Sequence, residues 1–322
     1  MKAAIVRQAG QDPVYGDYQE PVIAPGESRI TVAAAAISNI ARSRASGAHY
    51  SSSGEFPLVA GIDGVGRLDD GQRVYFALPR PPYGSMCERT VAPTTQCLPV
   101  PKELDDVMAA AIANPGLSSW AAFSERARLR AGETVLVNGA TGMAGQLAVQ
   151  IAKHLGAGKV IATGRNADTL RALAGVGADV TIQLTGDGDA LERSFMAQFA
   201  DGIDVVIDYL WGASAERLLI AAAKAGAEAV PIRFVQVGSV SGQTISLPSA
   251  VLRASAIELM GSGIGSIALG RLVSLTGDVL HAAASRGFRI AVDPVPLSEV
   301  AEAWSKSGSA SRTVLTIGAQ EA

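Results

Sequence analysis

The chain has 322 residues, of which 48% are hydrophobic and 18% are charged, and its formal net charge is −3. This length predicts two domains, while the weak net charge and the scattered Lys and Arg residues argue against a nucleic-acid partner. Two cysteines are too few for a disulfide framework or a structural zinc site, and no apolar run is long enough to predict a membrane span. The N-terminal run lacks the pattern of a signal peptide, so we expect a cytoplasmic protein.

Residues 1–113 are predicted to form an all-β domain. Short strand-like runs at 29–33, 64–68 and 72–76 are separated by turn residues such as Pro25-Gly26. Closely spaced short strands of this kind indicate a small barrel.

From residue 114 the pattern changes to apolar strands that alternate with helical stretches. Near-continuous apolar runs indicate strands that are buried on both faces of a parallel sheet, and the alternation indicates right-handed βαβ crossovers. Residues 114–287 are therefore predicted to form a doubly wound α/β domain. Its predicted strands are 134–138, 159–163, 180–183, 204–208, 230–238 and 257–260.

The last segment, residues 288–322, regains β character, with predicted strands at 289–292 and 312–317. These strands could be the seventh and eighth strands of the parallel sheet. We favour the alternative, in which the chain returns to complete the N-terminal β domain.

A glycine-rich loop at 139–145 follows an apolar strand and precedes a predicted helix with Met143, Leu147 and Ile151 on one stripe. A pyrophosphate needs exposed backbone N–H groups at a helix N-terminus and small residues that let it approach. A glycine motif alone often serves only helix–strand packing, but the strand before it and the helix after it favour a dinucleotide site here. The loop residues predicted to contact the cofactor are Ala140, Thr141, Gly142, Met143, Ala144 and Gly145.

The end of the next predicted strand selects the type of dinucleotide. No carboxylate stands there to accept hydrogen bonds from a ribose 2′-hydroxyl, and Asp168 lies too far into the following helix to replace it. Arg165 occupies this place instead, and its guanidinium could pair with a 2′-phosphate; the alternative is a surface arginine on a loop. We predict NADP(H) rather than NAD(H), held here by Gly164, Arg165 and Asn166.

Two further strand ends are predicted to border the same site. Val237, Gly238 and Ser239 could offer backbone groups to the nicotinamide carboxamide. Tyr209 and Trp211 could form a wall beside the cofactor, or could be ordinary packing at the rim of the sheet.

With these motifs in place, the chain resembles the medium-chain dehydrogenase/reductase superfamily, specifically its zinc-free quinone oxidoreductase branch. The resemblance extends over essentially the whole length. Besides the glycine loop and its helix, it includes the motifs at 61–66, 82–86, 175–179, 237–239 and 295–300. It implies an α/β fold in which a GroES-like β domain, formed by residues 1–113 and 288–322, carries an inserted Rossmann domain of residues 114–287. It also implies a cleft between the domains and a homodimer joined at the Rossmann sheet edge, residues 257–263.

Comparison with zinc-dependent relatives in this superfamily predicts that the protein holds no metal. Those relatives need a cysteine, a His-Glu pair after a glycine and usually a four-cysteine lobe. Here Ile62 and Asp63 follow Gly61, Ser38 and Asn39 occupy the region of the cysteine, and the lobe is missing from the sequence.

The catalytic candidates are Tyr50, Ser38 and Asn39. Tyr50 lies where relatives place an active-site tyrosine that could donate a hydrogen bond or a proton, although it could also merely cover the edge of the cleft. Ser38 and Asn39 are other possible donors. Relatives usually carry an Asn followed three residues later by an Asp in the segment 38–42, which this sequence lacks, so substrate chemistry transfers less well than cofactor binding.

Without a metal, the expected chemistry is hydride delivery to a carbon that is already electrophilic. A quinone, or the C=C bond of an α,β-unsaturated carbonyl, accepts hydride while its oxygen takes up negative charge. The expected partner is therefore a small electrophilic molecule. The alternatives are a carbonyl or imine reductase, and a protein that binds NADPH without turnover.

Overall fold

The structure, a computed structural model, describes residues 1–47, 55–184, 188–306 and 311–318. The chain divides into two compact units, one formed by Met1–Asn114 with Thr276–Ala322 and the other by Pro115–Leu275. The sequence-based boundaries were 113/114 and 287/288. The catalytic candidate Tyr50 lies outside the described residues.

The described residues form strands and α-helices that are numbered in chain order. The strands are β1 (Lys2–Val6), β2 (Val14–Asp17), β3 (Glu27–Ala36), β4 (Leu58–Val59), β5 (Asp63–Leu68), β6 (Arg73–Ala77), β7 (Arg89–Pro93), β8 (Cys97–Pro99), β9 (Thr134–Asn138), β10 (Lys159–Gly164), β11 (Val180–Gln183), β12 (Val205–Asp208), β13 (Ile232–Gln236), β14 (Ile257–Gly261), β15 (Val292–Pro296) and β16 (Arg312–Thr316). The α-helices are α1 (Asn39–Ala45), α2 (Asp106–Ala121), α3 (Met143–His154), α4 (Ala167–Ala174), α5 (Gly188–Ala200), α6 (Gly212–Ala225), α7 (Ser249–Arg253), α8 (Leu269–Arg286) and α9 (Val300–Ser305). Short 3₁₀ segments lie at Thr94–Gln96 and Leu297–Glu299, and a π-helical segment, Ala122–Ala127, continues α2.

The first unit is built on two sheets. One has the order β2–β1–β4, and the other has the order β15–β16–β3–β5–β6–β8, with β7 also paired to β3. On β3, Ile30 and Val32 are buried while Thr31 between them is exposed, which is the alternation of a strand with one face on a core. Because β16 pairs antiparallel with β3, the C-terminal stretch completes the sheet of the N-terminal strands, as the sequence indicated.

The second unit is built on a parallel sheet with the order β11–β10–β9–β12–β13–β14. Counted from β9 as the first strand, this order is 3-2-1-4-5-6, which is typical of dinucleotide-binding doubly wound sheets. Val135, Ile161 and Val206 in its central strands are fully buried, as expected where helices cover both faces. The predicted fold class, an α/β protein with a GroES-like β domain and a Rossmann domain, is confirmed.

The prediction that residues 1–113 form an all-β segment was wrong, because two α-helices begin within it. Helix α1 lies within it, and α2 begins at Asp106 and continues through Pro115, across the domain boundary that the sequence predicted at 113/114. A proline inside a helix removes one backbone hydrogen bond. Here the alanine-rich first half of α2 favours the helix, and the hydroxyls of Ser118 and Ser119 donate to the Pro115 carbonyl at 2.8 and 3.0 Å.

The strand predicted at 289–292 was also misplaced. Strand β15 begins at Val292 and runs through Pro294 to Pro296. Proline disfavours a strand, because it cannot donate a hydrogen bond to the neighbouring strand. The prolines are tolerated here because β15 lies at the edge of the sheet and, among the described strands, pairs only with β16.

The longest α-helix of the described residues, α8, has 18 residues. Across the ranges that the structure describes, no helix combines the length and the apolar character that crossing a membrane requires.

Candidate functional site

The glycine loop joins β9 to α3 at the carboxyl edge of the parallel sheet. Gly142 is the N-cap of α3 and supplies no side-chain bond to the first helical turn. The first N–H groups of a helix have no partner within the helix, so this end offers backbone donors to an anion. Gly142 itself is exposed, while Thr141, Met143 and Ala144 are half-buried.

Gly145 allows α3 to pack tightly against the loop. A Cβ atom at this position would lie 2.3 Å from the carbonyl oxygen of Gly139 and 2.5 Å from the Cα of Ala140. Both neighbours are backbone atoms that cannot move aside without breaking the loop, so only glycine fits. This is the role of the third glycine in a dinucleotide fingerprint.

The end of β10 lies beside the loop. A Cβ atom at Gly164 would lie 2.3 Å from Cγ2 of Thr141, so the two chain segments are in close contact. Arg165 follows with an exposed side chain, and its carbonyl accepts a bond of 3.0 Å from the Gln183 amide. Asn166 caps α4, since its Oδ1 accepts from the Thr169 N–H at 2.9 Å.

Asp168, the acid nearest to Arg165 in sequence, is already paired. It lies in the first turn of α4, and its carboxylate forms an ion pair with Arg171 on the same helix. The end of β10 therefore exposes the Arg165 guanidinium, and the strand itself ends in Gly164 and not in an acidic residue.

The strand ends of β12 and β13 contribute the remaining predicted cofactor residues. Tyr209 is only 7% exposed, its hydroxyl lies 2.7 Å from the Ser119 Oγ, and burial raises its pKa. Trp211 is half-buried. Val237 and Gly238 donate their backbone N–H groups to the Asp208 carbonyl at 2.7 and 3.1 Å, and Ser239 is half-exposed.

Sequence reasoning missed three buried polar side chains at this edge: Asn138, Thr163 and Asp208. Thr163 donates from Oγ1 to the Asn138 Oδ1 at 2.7 Å, and Asn138 donates from Nδ2 to the Asp208 Oδ1 at 2.8 Å. A signal was present in the sequence. The runs Val-Leu-Val-Asn, Val-Ile-Ala-Thr and Val-Val-Ile-Asp each place one polar residue after three apolar ones, where a buried strand is about to end.

The catalytic candidates of the first unit lie where β3 passes into α1. Ser38 is 3% exposed and caps α1, because its Oγ accepts from the Ala41 N–H at 3.0 Å. As the acceptor in this bond, its hydroxyl can still donate. Asn39 begins α1 and is exposed.

The first unit also buries a carboxylate. Asp63, at the start of β5, is 2% exposed and accepts a bond of 3.1 Å from the Tyr75 hydroxyl. Burial raises the pKa of Asp63 to about 6, although the positive charge of Arg312 opposes the shift. The Oδ1 of Asp63 and the Nε and Nη2 of Arg312 are buried without a hydrogen-bond partner among the described residues.

Metal-ligating side chains do not cluster in the part of the chain that the structure describes. No group of three or more His, Cys, Asp and Glu residues there is arranged to hold an ion. Burial raises the pKa of Cys87 to about 12 and that of Cys97 to about 11, so both side chains are neutral thiols at neutral pH. That the protein works without zinc remains a prediction.

Comparison with known proteins agrees with this arrangement. A family model described as zinc-binding dehydrogenase matches residues 144–276. The chain is 27% identical to the probable NADPH-dependent quinone reductase tdiC of Emericella nidulans, over 95% of this chain and 96% of that protein. It is also similar to the quinone oxidoreductase of Thermus thermophilus, with 25% identity, a TM-score of 0.81 and coverage of 98% and 100% of the two chains. These matches support the assignment of the chain to the medium-chain dehydrogenase/reductase superfamily, in its quinone oxidoreductase-like branch.

A further similarity covers only part of the chain. The trans-enoyl reductase pgmF of Aspergillus terreus is 30% identical over 45% of this chain and 42% of that protein. The solved Thermus thermophilus structure is described together with its complex with NADPH. This chain thus combines the strand order that is typical of dinucleotide-binding sheets with a glycine loop after the first strand of that sheet.

Proposed function

We propose that this protein is an NADPH-dependent oxidoreductase that reduces a quinone or the C=C bond of an α,β-unsaturated carbonyl without a metal. The observation that carries the cofactor assignment is Arg165, exposed directly after β10 at a strand end that offers no carboxylate. The names of the relatives tdiC and pgmF support the reaction class.

The residues present fit an NADP(H) molecule. The first turn of α3 and the loop Ala140–Gly145 offer backbone donors and closely packed small residues to the pyrophosphate. Gly164 and Arg165 would receive the 2′-phosphate, for which a guanidinium is a bidentate partner. Val237, Gly238 and Ser239 would border the nicotinamide. When bound, NADPH supplies a hydride.

The protein's own contribution to the reaction is orientation and stabilisation of negative charge on the substrate oxygen. Ser38 retains a hydroxyl donor after capping α1, and Asn39 exposes an amide at the first position of the helix. Together with Tyr50, these are our candidates for donors to that oxygen. The final proton comes from one of them or from solvent.

A steady-state screen of quinones, enals and enones with NADPH and with NADH tests this function. We expect turnover with NADPH, and a preference for NADPH over NADH that falls about tenfold or more in Arg165→Ala, since a charge-assisted bond is lost. Arg253→Ala is the matched control, because Arg253 is exposed and donates a hydrogen bond to Ser249 on its own helix α7. A wild-type preference for NADH would refute the role of Arg165.

The labelled product, the turnover and the metal content distinguish the proposed function from its alternatives. Transfer of deuterium from labelled NADPH to the β-carbon of an enone excludes carbonyl reduction, and tight NADPH binding without turnover of any acceptor would indicate a non-catalytic protein. Activity that survives exhaustive treatment with a chelator, in protein without bound zinc by elemental analysis, supports a metal-independent reaction.

We also propose that two copies join at β14. This strand is an end strand of the parallel sheet, and Leu259 at its centre is 39% exposed. An unpaired strand edge is a ready template for a second strand. Light scattering should give the mass of a dimer for the wild type and that of a monomer for Leu259→Asp; a monomeric wild type would refute the proposal.

A further inference from the structure

Asp208 is a fully buried acid at the carboxyl end of β12. Burying a carboxylate is unfavourable unless hydrogen-bond donors replace the water that it loses. Burial raises the pKa of Asp208, and its hydrogen bonds to Leu210, Asn138 and Trp211 oppose that shift. Among the described residues, the groups that hydrogen-bond to the carboxylate are all N–H donors, which are the partners of the ionised form.

Two of these donors belong to the turn that follows β12. The backbone N–H of Leu210 donates to Oδ1 at 3.0 Å, and that of Trp211 lies 3.2 Å from Oδ1 and 3.1 Å from Oδ2. Trp211 has φ +56° and ψ −160°, a conformation that is unfavourable for any residue with a side chain. The bonds to Asp208 thus hold the turn in a conformation that the tryptophan would not adopt by itself.

The third donor links the same carboxylate to the glycine loop. Asn138, the last residue of β9, donates from Nδ2 to Asp208 at 2.8 Å and to Ser214 at 3.0 Å, and accepts from Thr163. The Oγ1 of Thr163 in turn accepts a bond of 3.3 Å from the N–H of Gly139, the first residue of the loop. The carboxylate is therefore connected to the loop through two polar side chains.

A second connection runs between the same two segments. The Tyr209 hydroxyl lies 2.7 Å from the Ser119 Oγ, and Ser119 is 3.1 Å from the carbonyl oxygen of Ala144 in the first turn of α3. When Tyr209 donates to Ser119, the single hydroxyl hydrogen of Ser119 is shared between the carbonyl oxygens of Ala144 and Pro115. The turn 209–211 is thus tied to the loop 139–145 at two separate points.

We propose that Asp208 is a positioning residue for the dinucleotide: it holds the turn 209–211 and the glycine loop in one fixed arrangement that binds NADPH. This inference rests on the proposed function. Asp208 does not touch the cofactor in this scheme; it acts through the backbone of Trp211 and through Asn138.

Asp208→Asn tests the proposal, because it keeps the size of the side chain but places an NH₂ group among N–H donors. We expect the Kd for NADPH to rise by about tenfold or more, the cost of losing a bond to a charged group. The double variant Asn138→Asp/Asp208→Asn exchanges the two groups and restores a donor–acceptor pair, so we expect most of the affinity to return. Fluorescence titration with NADPH measures each Kd.

Asp204→Asn is the matched control. Asp204 immediately precedes the same strand at its opposite end, and its Oδ2 accepts from the Thr134 N–H at 2.8 Å. We expect this variant to lose stability without a change in the Kd for NADPH. An equal rise in Kd for both single variants would reduce Asp208 to a general structural role and overturn the proposal.

The remaining outcomes are also decisive. Unchanged affinity in Asp208→Asn, or a double variant that binds no better than Asp208→Asn, overturns the inference while the proposed function stands. If Asp208→Asn does not fold, Asn138→Ala, which leaves the two backbone donors in place, must still raise the Kd. A wild-type protein that folds but does not bind NADPH overturns the proposed function itself.

Discussion

Among the described residues, each unit of this protein buries one aspartate, and the two carboxylates differ in what stabilises them. Asp208 in the parallel sheet accepts hydrogen bonds on both carboxylate oxygens, from one side chain and two backbone groups. Asp63 in the β unit accepts only the Tyr75 hydroxyl, and its Oδ1 has no partner among the described residues. Asp208 is thus held by short-range bonds, whereas Asp63 depends on the more distant charge of Arg312. Direct bonds fix geometry, while a distant charge offsets only part of the cost of burial.

The largest expected effect is the loss of unfolding free energy when the positive charge of Arg312 near Asp63 is removed. Arg312→Met should lower the free energy of unfolding at pH 7 by about 3–5 kcal/mol, because it leaves an uncompensated buried carboxylate. Urea denaturation measures this loss, and Arg7→Met at an exposed position is the control. The double variant Asp63→Asn/Arg312→Met should recover much of the stability. Equal losses in the single and double variants would show that the arginine acts by packing and not by charge.

The next largest effect should be the contribution of Asp63 to the pH dependence of stability. Asp63 has a pKa of about 6 in the folded protein against 3.8 as its ordinary value, so the folded state binds more protons between these values. Its contribution therefore favours folding at low pH and is lost as pH rises through 6. Relative to Asp63→Asn, the wild type should lose about 2 kcal/mol of unfolding free energy between pH 4.5 and pH 7.5.

Urea titrations across this pH range measure that difference. Arg312→Met should steepen the dependence, because the arginine opposes the upward shift of the Asp63 pKa. A difference that does not change with pH would mean that Asp63 is as well stabilised in its charged form as an exposed acid.

Much of the fold could be predicted because periodicity and turn residues report local structure. The strands that flank the glycine loop were located closely, since their apolar runs are bounded by glycine and polar residues. Two elements could not be predicted: the helix through Pro115 and the edge strand through Pro294 and Pro296. Tertiary contacts decide whether a helix or strand tolerates a proline.

The site could be predicted only where residues close together in the sequence form a pattern that is typical of one kind of binding. The glycine loop and Arg165 were identified because phosphate binding constrains nearby positions in sequence. The bonds joining Asn138, Thr163 and Asp208 were not identified, because their partners stand 25 and 70 positions apart in the sequence. Only the strand order of the sheet brings these residues together.

The smallest expected effect tests one bond of the fully paired network. Thr163→Val keeps the shape of the side chain but leaves the Asn138 Oδ1 without its 2.7 Å donor. We expect a loss of about 1 kcal/mol in the free energy of unfolding. Thr181→Val, at an exposed position of the neighbouring strand β11, should change stability by less. Equal values for the two variants would show that the network does not stabilise the sheet beyond an ordinary surface position.

The contact between Gly164 and Thr141 constrains how this protein can diverge. A side chain at 164 would meet the methyl group of Thr141 at 2.3 Å, so the space between β10 and the glycine loop holds one side chain and not two. A mutation of Gly164 is therefore tolerated only after residue 141 has become smaller. The two positions should change together among descendants of this sequence, and attempts to redesign cofactor preference at 164–166 must begin with a choice for 141.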